Sequence, residues 1–154
     1  IENFSSKLWN EDLQVGLTGA FLCTKIFGHL MSKKRCGNII NISSDLGIIS
    51  PDQRLYSDFI KPISYSVVKH GIMGLTKYTA TYWASKNIRC NSFAPGGISN
   101  KQPKKFLSRI KKLIPMNRMA KKNEYNATIL FLSSEASSYI NGATIISDGG
   151  RTIW

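Results

Sequence analysis

Tyr65 and Lys69 stand four residues apart in a stretch with helical apolar spacing, so their side chains share one face, one turn apart. A phenol with its ordinary pKa of about 10 is a poor acid or base at neutral pH, but a neighbouring ammonium favours the phenolate. Ser44, at the end of a β-branched run, adds a hydroxyl able to hold a carbonyl or alcohol oxygen. The three together can exchange a proton with an alcohol or a carbonyl while another group takes a hydride.

The elements that must position these residues follow from hydrophobic periodicity. Leu8, Val15, Leu22, Ile26 and Leu30 recur at helical intervals and predict one long amphipathic helix from Lys7 to about Met31, closed by Lys33-Lys34-Arg35 and Gly37. Residues 38–43 are too short and too β-branched for a helix and predict a buried strand. Residues 44–62 hold Ser, Asp, Gly and two prolines, a long loop of the kind that carries function. Pro62 opens a second long helix marked by Val68, Ile72, Leu75, Thr79 and Tyr82 and running to about Ser85; Gly71 and Gly74 weaken it unless a neighbour packs close. Ile88 to Ala94 predicts a strand ended by Pro95-Gly96-Gly97. A short helix near 103–112, a firmer one from Glu124 to Ser134 and a strand from Thr144 to Ser147 complete the chain.

This alternation predicts an α/β fold, a doubly wound parallel sheet with helices on its faces. Ligands of such sheets bind beyond the carboxyl ends of the strands, so Ser44 with its loop and Pro95-Gly96-Gly97 should converge on one crevice.

Composition bounds the alternatives. The chain has 154 residues, 42% of them hydrophobic and 19% charged, which suits one folded domain and excludes disordered or low-complexity chains. No apolar stretch reaches the ~20 residues needed to cross a bilayer, so a membrane role is not expected. Cys23, Cys36 and Cys90 form neither a disulfide framework nor a metal-ligand pattern, and a reducing cytoplasm suits them. His29 and His70 have no partner at ligand spacing and read as one exposed and one packed residue. The net charge of +12 raises a polyanion partner as the rival function. Phe106 is the only aromatic between residues 94 and 124, which leaves no stacking platform beside the basic run, so nucleic acid is not expected.

Residues 42–44 (Ile-Ser-Ser), the Tyr-Ser-Val-Val-Lys run of 65–69, the run from Arg89 to Pro95-Gly96 and the closing Asp148-Gly149-Gly150 together resemble the short-chain dehydrogenase/reductase family, in order and spacing along nearly the whole chain. The resemblance implies a Rossmann-like fold and an NAD(P)-dependent oxidoreductase that interconverts a secondary alcohol and a carbonyl. It implies Tyr65 as general acid/base and Lys69 as the group that favours its ionised form and bonds the nicotinamide ribose. Ser44 would orient the substrate oxygen, and the backbone of Pro95, Gly96, Gly97 and Ile98 would line the nicotinamide of NAD or NADP.

Three departures accompany the likeness. Family members open with a strand, a Gly-rich turn and a helix that holds the pyrophosphate; nothing here matches, so residues 1–154 are expected to form the catalytic and substrate-binding half of one domain. Where the family pattern V-N-L-x-G-x-F has an asparagine in the proton relay, this chain has Gly16. The stretch from Ser44 to Tyr65 is longer than usual, with Pro51 to Tyr56 inserted, and Tyr56 is expected to contact substrate. The basic run Lys101, Lys104, Lys105, Arg109, Lys111, Lys112, Lys121 and Lys122 is either a solvated face or a cationic lid suited to an anionic or sugar-derived small-molecule substrate. The Pro51–Tyr56 pattern and the ending at Trp154 are similar to bacterial members associated with surface-sugar biosynthesis. A homodimer or homotetramer through the two long helices is implied as well. The rival reading is a non-catalytic basic fragment that binds polyanions or serves only to oligomerise.

Overall fold

A computed structural model of the chain describes residues 1–56 and 59–154; Ser57 and Asp58, within the long loop expected at 44–62, lie outside the described residues. The chain opens with helix α1 (Ser6–Leu13), capped by Ser5, whose hydroxyl accepts from Leu8 N–H. A π-helical turn at Gln14–Thr18 links it without a break to α2 (Gly19–Lys34). The one long helix expected to end near Met31 therefore runs a turn further, to Arg35, which stops it with a left-handed φ of 52°. The strand β1 (Gly37–Ile42) follows, then two 3-10 turns, Asp45–Gly47 and Gln53–Leu55, inside the long loop. Helix α3 (Ile63–Tyr82) leads through a 3-10 turn to β2 (Ile88–Pro95). The chain ends with α4 (Lys104–Lys111), α5 (Asn126–Ser133) and β3 (Thr144–Ser147).

The three strands form a parallel sheet in the order β1-β2-β3. Central β2 is the most buried: Cys90, Asn91, Ser92 and Ala94 have no exposure. Its polar members need partners, and Asn91 finds them by donating to Ile140 O (2.8 Å) and accepting from Ala143 N (3.0 Å). Pro95 falls on the last residue of the strand, where its missing N–H costs nothing, and the ladder closes with Gly96 N donating to Ser147 O. Phe93, Tyr125 and Leu132 join the sheet to α5, while Leu55, Ile110, Ile114 and Met119 pack the inserted loop against α4 and its following segment.

The apolar stripe of the first helix faces outward. Leu8, Val15, Leu22, Ile26 and Leu30 are all exposed, and the buried residues of α2 are Thr24 and Gly28. Small residues occupy the inner side because α3 comes close: a Cβ on Gly28 would stand 2.0 Å from the Trp83 ring. In α3, Gly71 lies against Leu17, whereas Gly74 touches nothing that would exclude a side chain. Both histidines are exposed; His70, expected to be packed, instead bonds Ser66 O through Nδ1 at 2.9 Å.

Candidate functional site

At the carboxyl end of β1 the chain turns sharply into the first 3-10 turn, and Ser44 caps it. Ser44 Oγ accepts from Leu46 N (3.1 Å) and donates to Asp45 Oδ1 (2.9 Å). Asp45 is 3% exposed, and its other carboxylate oxygen accepts from Arg151 Nη1 at 2.7 Å. Arg151 is itself 8% exposed, so the pair is a desolvated ion pair tying the end of the chain to the residue beside Ser44. The Asp148-Gly149-Gly150 turn aims Arg151: Asp148 accepts from Gly150 N and Thr152 N, and both glycines have positive φ.

Helix α3 presents Tyr65 and Lys69 on one face. Lys69 Nζ donates to Ile42 O (2.9 Å) and lies 5.7 Å from the Tyr65 ring centroid. A second ammonium, that of Lys61, sits over the same ring at 3.8 Å. Burial lowers the pKa of both lysines; for Lys69 the nearby Lys61 adds to the lowering, and for Lys61 Asp45 opposes it. Tyr56 is half-buried in the same region, and burial pushes its phenol up against a smaller opposing effect of Arg151.

Beyond β2 the backbone must pass close to its neighbours. A Cβ on Gly96 would stand 2.8 Å from the Asp148 backbone at Cα, so glycine is required there, while one on Gly97 would stand 2.7 Å from Met119 Cε, the movable end of a flexible side chain. Tyr125 Oη donates to Gly96 O (2.8 Å), and Ala120 N to Gly97 O, fixing the turn. The segment that follows covers the site with α4.

Ser44, Tyr56, Tyr65, Lys69, Pro95, Gly96, Gly97 and Ile98 all line one cavity of about 420 Å³ at the carboxyl ends of β1 and β2. The fold thus brings together every site residue singled out in the sequence. Three more charged groups line the wall and were not foreseen: Asp45, Lys61 and Arg151. Arg151 lies 106 positions from Asp45, and no local pattern announces such a pair. The basic run is a different case. Lys101, Lys104, Lys105, Lys111, Lys112, Lys121 and Lys122 are exposed, and α4 turns Phe106 and Ile110 toward the cavity. The run does not form a cationic inner surface of a lid, because α4 is amphipathic and buries its apolar side. Arg109 is only half-exposed and donates to Arg54 O.

Gly16 lies in the π-helical turn, where the backbone is already distorted. A Cβ there would come 2.6 Å from Val68 Cγ1, so Val68 fills the volume any side chain at this position would need.

Comparison with known proteins agrees with this geometry. Residues 1–152 match the family model described as Enoyl-(Acyl carrier protein) reductase, and the chain belongs to the short-chain dehydrogenase/reductase family. It is 36% identical to 2-dehydro-3-deoxy-D-gluconate 5-dehydrogenase of Bacillus subtilis over 97% of this chain and 58% of that protein. It is 37% identical to 3-oxoacyl-[acyl-carrier-protein] reductase FabG of Thermotoga maritima over 94% of this chain and 57% of that protein. Among solved structures, a short chain dehydrogenase from Leptospira borgpetersenii with bound NAD+ superposes with a TM-score of 0.94 at 34% identity, covering 99% of this chain and 59% of that one. A gluconate 5-dehydrogenase from Burkholderia cenocepacia in complex with NADP and tartrate superposes at 0.86 with 27% identity, covering 98% and 58%. The chain therefore spans less than three fifths of the length of these relatives. Among the described residues no helix is long and apolar enough to cross a membrane.

Proposed function

We propose that the chain supplies the catalytic and substrate-binding half of an NAD(P)-dependent oxidoreductase that interconverts a secondary alcohol and a carbonyl. The observation that carries this reading is the convergence of Ser44, Tyr65, Lys69 and the Pro95–Ile98 backbone, from three separate segments, on one cavity at the strand ends.

Tyr65 exchanges a proton with the substrate oxygen, and Lys69 stands beside it on the same face of α3, 5.7 Å from the ring centroid. Ser44 fixes the position of that oxygen, its own rotamer set by Leu46 N–H and Asp45. The backbone at 96–97, which lines the cavity with no side chain of its own, suits a flat ring laid against it, and Lys69 suits ribose hydroxyls. When bound, the nicotinamide supplies the hydride chemistry. The remainder of the nucleotide would be held by the family's N-terminal half, and β1, with one side unpaired, is where its strands would join the sheet.

The substrate is a small anionic or sugar-derived alcohol or carbonyl compound, in line with the sugar acids in the relatives' names. The outward apolar stripe and the groove of about 640 Å³ between α2 and α3, walled by Phe21, Ile26, Leu30, Leu75 and Tyr82, favour a homodimer or homotetramer built on these helices. Three unpaired thiols fit a cytoplasmic enzyme.

The test is Tyr65→Phe in the whole protein. Turnover falls by at least a thousandfold, while NAD(P)H affinity, read from nicotinamide fluorescence, stays within a few-fold; Lys69→Ala weakens both. Unchanged turnover in Tyr65→Phe refutes the assignment.

A further inference from the structure

Four charged residues line the cavity: Asp45, Lys61, Lys69 and Arg151. Asp45 and Arg151 neutralise one another at 2.7 Å. Lys69 is engaged by Ile42 O and, in the function proposed above, by the ribose. Lys61 has no carboxylate within ion-pair distance among the described residues, so the positive charge it holds directly over the Tyr65 ring has no salt-bridge partner there. Half-burial makes that charge costly, since its pKa is already lowered by desolvation.

The inserted loop holds Lys61 where it is. Gln53 grips its backbone from both sides, donating through Nε2 to Lys61 O (3.2 Å) and accepting from Lys61 N through Oε1 (2.9 Å). Asp52 caps the turn that carries Gln53, and Leu55, 3% exposed, anchors that turn in the core beside Ile110 and Ile114. Rigid backbone support for a desolvated cation without an ionic partner is the arrangement of an anion receptor.

We infer that Lys61 is the residue that binds an anionic group of the substrate, a carboxylate or a phosphate, close to the carbon whose oxygen exchanges its proton with Tyr65. The inserted loop exists to set that ammonium over the ring. This inference rests on the oxidoreductase reading and names the substrate feature it leaves open. The cation comes from the loop before α3, on the inner wall, and not from the lysine-rich face of the segment after β2.

The experiment uses the whole protein with NAD+ or NADP+ and three six-carbon compounds: gluconate, glucitol 6-phosphate and neutral glucitol. The wild type favours one of the charged pair, which distinguishes carboxylate from phosphate. Lys61→Met lowers the ratio of kcat/KM for the charged over the neutral compound by tenfold or more, and Lys61→Arg restores most of it. A ratio that stays within twofold in Lys61→Met overturns the inference. A second arm needs no turnover: acetylation of Lys61, followed by mass spectrometry, slows at least threefold in phosphate or citrate relative to sodium chloride at equal ionic strength, while that of exposed Lys105 does not. Equal rates at Lys61 overturn the inference. Oxidation of these compounds by Tyr65→Phe at the wild-type rate refutes the function and leaves the labelling arm to decide whether Lys61 binds anions.

Discussion

Arg151→Met tests the ion pair behind Ser44. The substitution keeps a flexible stem of similar length and removes the guanidinium, leaving the carboxylate of Asp45, 3% exposed, with only the Ser44 hydroxyl and Leu46 N–H as partners among the described residues. Breaking a buried pair by removing one member costs about 3–5 kcal/mol, because an uncompensated charge stays inside. At about 1.4 kcal/mol per decade this lowers the folding equilibrium constant by roughly two to three and a half orders of magnitude. At about 2–4 °C per kcal/mol for a protein of this size class, Tm falls by about 6–20 °C. Denaturation of the whole protein in urea, completed as a double-mutant cycle with Asp45→Asn, measures the coupling. The double variant is more stable than Arg151→Met alone, since the stranded charge is gone. Turnover drops in Arg151→Met with cofactor affinity retained, because the carboxylate that accepts the Ser44 hydroxyl's hydrogen bond is no longer fixed. Additive single effects, or a loss below about 1 kcal/mol in Arg151→Met, refute the claim that this pair is a closed, desolvated unit.

Gly16→Ala forces a Cβ to 2.6 Å from Val68 Cγ1 and costs about 1–3 kcal/mol by overpacking, read from urea midpoints; Val68→Ala in the same chain recovers most of it. The Arg118 guanidinium and Lys121 N–H hold the Glu124 carboxyl down at about 2, below its ordinary 4.5. Its folded value is depressed, so its contribution is present above pH 4.5 and is lost as pH falls toward 2; an NMR titration finds the midpoint near 2, and Glu124→Gln flattens stability over that window. Burial pushes the Cys90 thiol up to about 11, so at pH 8 it is about 0.1% thiolate and stays unmodified by a disulfide reagent in the folded state, while exposed Cys36 reacts.

Much of the architecture is local and is legible in the chain. Period and punctuation suffice for β3, for α3 and for the end of β2 at Pro95, because side-chain direction and the missing proline N–H act within a few residues. Tyr65 and Lys69 share a face for the same reason. The sequence by itself therefore determined the α/β class and the order of its elements. It also determined which segments end at the strand tips, hence eight of the residues that line the cavity. Tertiary structure alone decided the rest. The pairing of Asp45 with Arg151 depends on a turn at one end of the chain meeting a loop in its first third. Periodicity marks an apolar stripe on the first helix but cannot say that it faces outward, since the sheet side is taken by Thr24 and Gly28 where Trp83 presses in. The count of basic residues cannot tell inner wall from outer face: seven exposed lysines of the run point away, and the cation over Tyr65 is Lys61, set there by Gln53. Charge enters a cavity one side chain at a time, and only the packing of the loop against α4 fixes which.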